Sequence, residues 1–522
     1  MSKEKALARN LIAAGVVLVL FVVVGLAFSF FLLPLLQGDL ITSTSSQSQY
    51  DHDLTMRLDS FSGYAVLRSD AFREDLKRQG VRLELEDDQA DYGARLKALK
   101  RGQAQMAVFT IDALIAAGAD LGEHPASIVM VIDETAGADA ILAYKSAVPT
   151  LGALDTKGAA VYLTPDSPSE FLMRVAIAEF GLTELSTRWK AEDGADAVHK
   201  AMKKAKRSEP AAFVVWEPVR SAAIQDDDVV VLFDSSRLSG YIVDVLVAER
   251  GFLRDHPDVV QGVVEAYQRS LYAQEQSGGL VDLVLKDAKL AGDKLSASAS
   301  RSIVDGIHWR TTLENYAHFG LVPPEHRGGV HHLEDSIANI STVLVRTGKL
   351  SSAPLDGREN ELFYSGALQR MRDADFHPSK GLGIAAGGLG TADLAPIRGG
   401  GELTELGEAE WSSLSEVGTL AVPPIAFARG TARLNVQSQR ELTDLARRLQ
   451  GLPNTYLSVV GHTRSEGDPE ANRRLALERA EAAQAFLVSS GIPTQRLRAV
   501  AGEAAVGGRA QAVSFVLGQR PY

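Results

Sequence analysis

Residues 94–114 read ARLKALKRGQAQMAVFTIDAL and show the pattern that decides the fold of most of this chain. An amphipathic helical run ends at Gly102, an apolar strand follows at Met106–Thr110, and Asp112 stands where the next helix begins. This alternation recurs from residue 54 onward, which predicts an α/β fold with βαβ units and mostly parallel sheets. The predicted strands are Thr55–Asp59, Val81–Glu86, Met106–Thr110, Ile128–Ile132, Ile141–Tyr144, Ala159–Leu163, Ala212–Trp216 and Val229–Phe233.

Length and composition limit the possible functions. At 522 residues the chain is too long for one core and indicates two or three domains. The net charge of −12, without a basic stripe, argues against nucleic-acid binding. The absence of cysteine excludes disulfides, thiol nucleophiles and metal sites with Cys ligands. Because no catalytic constellation, nucleotide-binding glycine loop or metal-ligand spacing is recognisable, the sequence predicts a binding protein with no metal and no cofactor, rather than an enzyme.

The N-terminal region contains a long apolar stretch. Leu11–Leu36 carries no charge, and as a helix at 1.5 Å per residue it would be roughly 39 Å long, enough to span a hydrocarbon core of about 30 Å. Lys3, Lys5 and Arg9 precede the stretch and Asp39 follows it, which predicts a cytoplasmic N-terminus and a periplasmic remainder. The sequence therefore predicts an uncleaved signal anchor that holds the protein in a bacterial inner membrane by a single pass.

Composition divides the chain into five segments. Residues 1–40 form the cytoplasmic stub and the signal anchor, and residues 41–53 a polar tether. Residues 54–375 are the first α/β domain, and the Gly-rich residues 376–418 form a linker. In residues 419–522 the α/β pattern restarts, with predicted helices Ser438–Leu452 and Pro469–Ser489 and predicted strands Leu457–Gly461 and Ala510–Leu517.

Several stretches of residues 54–375 resemble the solute-binding proteins of ABC importers for nitrate, taurine and aliphatic sulfonates. They include ARLKALKRGQAQMAVFTIDAL, DETAGADAILAYK, PDSPSEF, FVVWEP and YIVDVLVAERGFLRDHPDVV. The resemblance implies a type II periplasmic-binding-protein fold, in which two α/β lobes close on a ligand. Ligands of such folds lie outside the carboxyl ends of the strands.

Residues at those strand ends are the candidate ligand-binding residues. Helix starts rich in small and hydroxyl side chains expose backbone N–H groups, which suits a small anion. Aromatic residues there offer apolar or stacking surface. The carboxylates Asp112, Asp139 and Glu217 fit an anion poorly, and they either cap helices or indicate a ligand with an amine. The candidates are Ser62, Gly63, Tyr64, Thr110, Asp112, Asp139, Ser167, Ser169, Trp216 and Glu217.

Residues 422–519 resemble the OmpA-like peptidoglycan-binding domain, with a βαβαββ order of elements. The stretches that carry the resemblance are PPIAFARGTARLNVQSQRELTDLARRL, LSVVGHTRSEGDPEANRRLALERAEAAQAFLVSSGI and RLRAVAGEA. The resemblance implies cell-wall binding through Thr463, Asn472 and Arg479. An Asp usually follows the His-Thr pair in that family, whereas this chain has Arg464. Loss of a charge-assisted contact there predicts at least tenfold weaker binding. Three alternatives remain: Arg464 and Arg479 meet a more anionic wall group, Arg464 pairs at the surface with Glu466 or Asp468, or the domain has become a protein-docking module.

Two functions are compatible with this organisation. The first is a membrane-anchored binding protein that captures a small solute, expected to be anionic, and presents it or signals to a membrane partner. Its OmpA-like domain contacts peptidoglycan or an envelope protein. The second is a structural or docking component of an envelope complex, similar in architecture to flagellar stator B subunits. Because the apolar helix lacks the ionisable group that proton flow requires, this component would not conduct ions.

Overall fold

The computed structural model describes residues 50–185, 189–292, 294–380, 389–397, 403–462, 467–502 and 513–520. The predicted membrane helix Leu11–Leu36 and most of the predicted tether lie outside these ranges, as do parts of the predicted linker. Within the described ranges, no helix has both the length and the apolar character needed to cross a bilayer.

The first described residues form a small unit with Lys77–Arg82. The amides of Asp51 and His52 both donate to the carbonyl of Gly80, at 2.7 and 3.2 Å. The Arg82 guanidinium pairs with Asp53 at 2.7 Å. The remaining described residues belong to a second, much larger unit.

The first lobe is built on a six-stranded mixed sheet with strand order β11-β4-β10-β3-β1-β2. Strand β10 lies antiparallel to both β3 and β4, which are fully buried and form the centre of the lobe. In this register Asp244 lies opposite Thr110 on one side and Asp133 on the other. The strands are β1 His52–Leu58, β2 Val81–Asp87, β3 Met106–Thr110, β4 Ala126–Thr135, β10 Val243–Glu249 and β11 Ile307–Trp309.

The second lobe is built on a five-stranded sheet with strand order β7-β6-β8-β5-β9. Its core contains Phe213, whose ring stacks on Tyr162 at a centroid distance of 5.1 Å. The strands are β5 Asp139–Tyr144, β6 Ala160–Leu163, β7 Lys190–Ala191, β8 Ala211–Trp216 and β9 Val229–Asp234. Two crossover segments join the lobes, residues 136–138 between β4 and β5 and residues 235–242 between β9 and β10.

The prediction of mostly parallel sheets was wrong. Strand β5 is antiparallel to β8 and β9, and β10 is antiparallel to β3 and β4. The reason is the double crossover. A strand that comes from the other lobe enters its sheet from the end at which the neighbouring strands leave, and it therefore runs in the opposite direction.

Helices cover the two sheets, and their ends follow ordinary capping rules. Helix α5 starts at Pro168, after Ser167 as N-cap residue, and stops at Gly181, which adopts a left-handed conformation with φ of 63°. The helices of the two lobes are α1 Ala65–Arg68, α2 Asp70–Arg78, α3 Tyr92–Lys100, α4 Ile111–Leu121, α5 Pro168–Phe180, α6 Ala195–Lys204, α7 Val219–Ala223, α8 Arg250–Asp255, α9 Pro257–Ser277, α10 Leu280–Ala291, α11 Ala297–Asp305, α12 Thr312–His318, α13 Leu333–Arg346 and α14 Gly366–Asp373.

The C-terminal domain has the predicted βαβαββ order. Its four-stranded sheet has the strand order β12-β15-β13-β14, with β13 and β14 parallel and β15 antiparallel to β12 and β13. Its elements, with a short preceding helix, are α15 Glu408–Ser413, β12 Ser415–Thr419, α16 Val436–Gln450, β13 Tyr456–Gly461, α17 Pro469–Ser489, β14 Leu497–Ala501 and β15 Val513–Gln519.

Candidate functional site

A cavity of about 420 Å³ lies in the cleft between the two lobes. Lobe 1 contributes Tyr92 at the start of α3 and Asp112 in the first turn of α4. Lobe 2 contributes Ser167 and Glu170 at the start of α5, and Lys349 after α13 completes the wall. The cavity therefore lies between helix starts of both lobes.

Three predicted carboxyl groups meet where the lobes join. Asp112, Asp139 and Glu217 are only 8%, 4% and 7% exposed. Burial raises the pKa of Asp112 to about 6, and the Thr110 hydroxyl beside it opposes the shift. Burial also raises the pKa of Asp139 to about 7, and the negative charges of Asp112 and Glu217 add to that rise. Both aspartates therefore titrate near neutral pH.

A second acidic pair lies on the β4–β10 register. Burial raises the pKa of Asp133 to about 8. Burial and the charge of Asp133 raise the pKa of Asp244 well above its usual value. The Tyr64 hydroxyl donates a hydrogen bond to Asp244, and burial raises the tyrosine pKa as well. The predicted ligand residue Tyr64 is thus bonded inside lobe 1 and is not on the cavity wall.

In the part of the chain that the structure describes, four buried carboxyl groups at the lobe junction lack the arginine partners that the other buried carboxylates have. Asp112, Asp133, Asp139 and Asp244 have no ion pair with Lys or Arg within the described residues, although all four are buried. Every other buried carboxylate in the described ranges pairs with an arginine. The pairs are Asp59 with Arg95, Asp75 with Arg269, Glu134 and Glu314 with Arg310, Glu170 with Arg174, Glu179 with Arg448, and Glu217 and Asp234 with Arg220. The unpaired carboxylates are therefore concentrated at the lobe junction.

Glu217 has partners within its own lobe. Its carboxylate accepts hydrogen bonds from the Ser221 amide at 3.1 Å and the Ser221 hydroxyl at 2.9 Å, and it pairs with Arg220 at 3.2 Å. It therefore anchors the start of α7, which is the capping role that the sequence left as one alternative. Asp112 lies on the cavity wall, whereas Asp139 is buried close enough for the charge of Asp112 to raise its pKa but does not line the cavity.

The structure places the remaining predicted residues around the cavity and does not bring them onto its wall. Ser62 is half-buried, and a Cβ added to Gly63 would lie 2.4 Å from Oδ2 of Asp133. Ser169 is completely buried. Trp216 lies opposite Asp139 in the β5–β8 register, and its partly buried ring packs against the core of lobe 2.

Sequence analysis missed Asp133 and Asp244 as junction residues, although each leaves a detectable signal. Asp244 interrupts the apolar strand VDVLVAE, and Asp133 directly follows the apolar residues of β4 while still inside that buried strand. A charge inside an otherwise apolar, fully buried strand is rare without a partner or a function. Within the described ranges, no group of three or more His, Asp or Glu residues has a geometry suited to a metal ion.

In the C-terminal domain, Thr463 and Arg464 lie outside the described residues. Asn472 lies in the first turn of α17, and its amide donates to the carbonyl of Asp468 at 3.0 Å. The Arg479 guanidinium donates to the carbonyl of Thr431 at 3.2 Å and lies 5.4 Å from the ring centre of Phe427. Arg479 is therefore held in place without an acidic partner in the described part of the chain.

Comparison with known proteins agrees with this organisation. Residues 137–283 match the sequence model of the substrate binding domain of ABC-type glycine betaine transport systems, and residues 426–513 match that of the OmpA family. The chain thus combines a solute-binding domain with a C-terminal OmpA domain. This confirms both resemblances that the sequence motifs carry.

The OmpA domain also has curated relatives. It is similar to the peptidoglycan-associated lipoprotein of Brucella melitensis, at 33% identity over 76 residues, or 15% of this chain and 45% of that protein. It is similar to the probable lipoprotein YiaD of Escherichia coli, at 31% identity over 74 residues, or 14% of this chain and 34% of that protein. The chain therefore spans less than half the length of these relatives.

Two solved structures are similar to the solute-binding domain. The aliphatic sulphonate binding protein SsuA of Escherichia coli has 17% identity and a TM-score of 0.45, over 60% of this chain and 92% of that chain. The nitrate-binding protein NrtA of Synechocystis PCC 6803 has 12% identity and a TM-score of 0.44, over 62% of this chain and 88% of that chain. Similarity at this level carries no information about the solute.

Proposed function

We propose that this protein is an envelope binding protein whose lobes close on a small solute carrying an ammonium group. The observation that supports this most directly is the pair Asp112 and Asp139, one from each lobe, buried at the junction without a Lys or Arg partner in the described residues. An isolated buried carboxylate is costly in the empty protein. A ligand cation bound beside Asp112 in the cavity reduces this cost for both groups, because the charge of Asp112 also acts on Asp139. Solute binding and lobe closure therefore favour each other.

This proposal takes the amine alternative of the sequence analysis. An anionic solute would meet the buried carboxyl group of Asp112 on the cavity wall. The glycine betaine family matched by residues 137–283 is named for a solute with a quaternary ammonium group. In our proposal Leu11–Leu36 anchors the protein in the inner membrane, and the solute is then passed or reported to a membrane partner.

The sign of the pH dependence distinguishes the two solute classes. Asp112 and Asp139, with pKa values of about 6 and about 7, are largely protonated at pH 5 and ionised at pH 8. An ammonium solute should therefore bind about tenfold or more tightly at pH 8 than at pH 5, and binding should release protons. The measurement is titration calorimetry of the full-length protein in detergent with glycine betaine, choline and putrescine.

Nitrate and taurine complete that panel as anionic and zwitterionic probes. Saturable binding of nitrate that strengthens towards pH 5 would contradict the ammonium proposal. Absence of heat and of thermal stabilisation with every probe, in a protein that unfolds cooperatively, would favour the structural docking component.

We also propose that the OmpA domain contacts peptidoglycan through Arg479. Arg479→Ala should reduce retention on purified peptidoglycan about tenfold, because a charge-assisted hydrogen bond contributes roughly 1.5–3 kcal/mol. Arg473→Ala is the matched control, since Arg473 is an exposed residue of the same helix. Equal retention of both variants would show that Arg479 does not bind the wall.

The same pull-down tests the position of Arg464. We expect Arg464→Asp to be retained more strongly than the unmodified protein, since it restores the residue that the OmpA-like family usually carries there. If the unmodified protein is retained on peptidoglycan as well as Arg464→Asp, the prediction that Arg464 weakens wall binding is wrong.

A further inference from the structure

The OmpA domain holds the crossover segment between β9 and β10. The amide of Ser239 donates to the carbonyl of Gly451 at 2.9 Å, and the side-chain amide of Asn454 donates to the carbonyl of Ser236 at 3.0 Å. Gly451 also packs against Tyr241, because a Cβ added there would lie 2.6 Å from the tyrosine ring. Only glycine permits this close approach.

The two hydrogen bonds fall on opposite halves of the crossover. Ser236 lies next to Ser235, whose hydroxyl accepts from the Gly137 amide at 2.8 Å and the Asp139 amide at 3.2 Å, at the entrance to lobe 2. Ser239 precedes Gly240, whose amide donates to Glu134 in β4 of lobe 1 at 2.6 Å. The loop Gly451–Asn454 therefore bridges the segment that must change its dihedral angles when the lobes rotate.

Contacts with lobe 2 accompany this bridge. In lobe 2, the Arg448 guanidinium binds Glu179 at 2.6 and 2.7 Å, and Glu179 is only 2% exposed. The Glu179 carbonyl also accepts from the amide of Ala421 at 2.7 Å. The OmpA domain thus rests on lobe 2 and on the crossover.

We propose that the OmpA domain is an intramolecular clamp that holds the two lobes in their closed arrangement. In this structure the lobes meet at the junction, where Asp112 is 8% and Asp139 is 4% exposed. The clamp contacts require this relative position of lobe 2 and the crossover. When the lobes open, the OmpA domain cannot keep its contacts with both lobe 2 and the crossover. Release of the OmpA domain and opening of the cleft are therefore coupled.

The clamp contacts lie at the opposite end of β13 from the segment after His462, which carries the predicted wall-binding residue Thr463. Gly451–Asn454 precede β13, whereas His462 follows its last residue. Six residues of strand at about 3.3 Å each separate the two ends by roughly 20 Å. A cell-wall fragment and the solute-binding domain can therefore be held by the same OmpA domain at the same time.

The test uses double electron–electron resonance on the full-length protein. Because the chain has no cysteine, two exposed residues can be replaced and labelled without background. Lys206→Cys with Arg440→Cys reports docking of the OmpA domain on lobe 2, and Arg101→Cys with Lys206→Cys reports the separation of the lobes. All three positions are exposed.

Both pairs should give one narrow distance in the otherwise unmodified protein. Arg448→Ala should broaden both distributions and shift the lobe pair to longer distances. Glu179→Gln, made on the other partner, should act in the same direction. Arg447→Ala is the control, because Arg447 is 55% exposed and its ion-pair partner among the described residues is Asp444 on its own helix.

The outcomes separate clearly. A broad docking distance in the unmodified protein overturns the clamp. A docking distance that broadens in Arg448→Ala while the lobe distance stays narrow shows docking without coupling, which also overturns it. A further consequence rests on the proposed function: Arg448→Ala should weaken binding of the ammonium probe about fivefold or more. If no probe binds at all, that function fails, while the two distances still decide whether the clamp exists.

Discussion

Asp139→Asn should weaken binding of an ammonium solute about tenfold to a hundredfold at pH 8, and at the same pH it should raise the melting temperature of the empty protein. The loss of affinity follows from removal of one charged group in a buried site, since a hydrogen bond to a charged group contributes roughly 1.5–3 kcal/mol. The gain in stability follows because Asn has nearly the same volume and carries no buried charge. A residue with a purely structural role would not show opposite effects on binding and on stability.

The pKa shift gives the sign and size of the stability gain. In the folded protein the pKa of Asp139 is about 7, above the ordinary value of 3.8. A group with a raised folded pKa contributes full stability below its unfolded pKa, and this contribution is lost as the pH rises through the folded pKa. The difference between these two pKa values corresponds to roughly 4 kcal/mol at pH 8. The stability gain in Asp139→Asn should therefore be large at pH 8 and disappear near pH 4.

Asp120→Asn is the matched control for this prediction. Asp120 lines the same cavity but is exposed to solvent. Its replacement should change neither the affinity nor the melting temperature by much. If Asp139→Asn melts at a lower temperature than the unmodified protein at pH 8, Asp139 is stabilised by a group in the folded protein, and its assignment as a ligand residue is wrong.

Arg95→Met should destabilise the protein by about 3–5 kcal/mol. The Arg95 side chain is completely buried and pairs with Asp88 at 2.8 Å and with Asp59 at 3.0 Å, and it also donates to the carbonyl of Val108. Removal of the guanidinium leaves two carboxylates almost without solvent contact and without their cation. Urea unfolding at pH 7, followed by circular dichroism, measures the loss.

A triple replacement distinguishes charge from packing. Arg95→Met combined with Asp59→Asn and Asp88→Asn removes the uncompensated charges, and it should recover much of the lost stability. Arg254→Ala is the control, since Arg254 is 74% exposed and its ion-pair partner in the described part of the chain is the neighbouring Asp255. The unfolding midpoint of this variant should not move. If the single and the triple variant are equally unstable, packing of the aliphatic part of Arg95 dominates.

The sequence predicted the bounds of helices and strands well where a capping residue or a strong hydrophobic periodicity marks them. Helix α17 spans Pro469–Ser489 as predicted, because Asp468 caps it and Pro469 favours its first turn. Strand β3 also has its predicted bounds. Helix α16 begins and ends two residues earlier than predicted, since Asn435 rather than a later residue caps it.

Strand direction was harder to predict. A strand's own side chains encode its burial but not the direction of its neighbours. The antiparallel placement of β5 and β10 follows from the two crossings between the lobes, and no short stretch of sequence records those crossings.

By itself, the sequence determined the alternation of strands and helices, the division into a solute-binding and an OmpA domain, and the absence of thiol chemistry. Only the tertiary structure decided which buried carboxylates receive an arginine and which do not. It also decided that the OmpA domain rests on the crossover, through a pair, Glu179 and Arg448, that is 269 residues apart in the chain. The hydrophobic periodicity of a segment indicates which of its side chains are exposed to solvent. Ion-pair partners that lie hundreds of residues apart come together only when the folded chain packs those distant segments against each other.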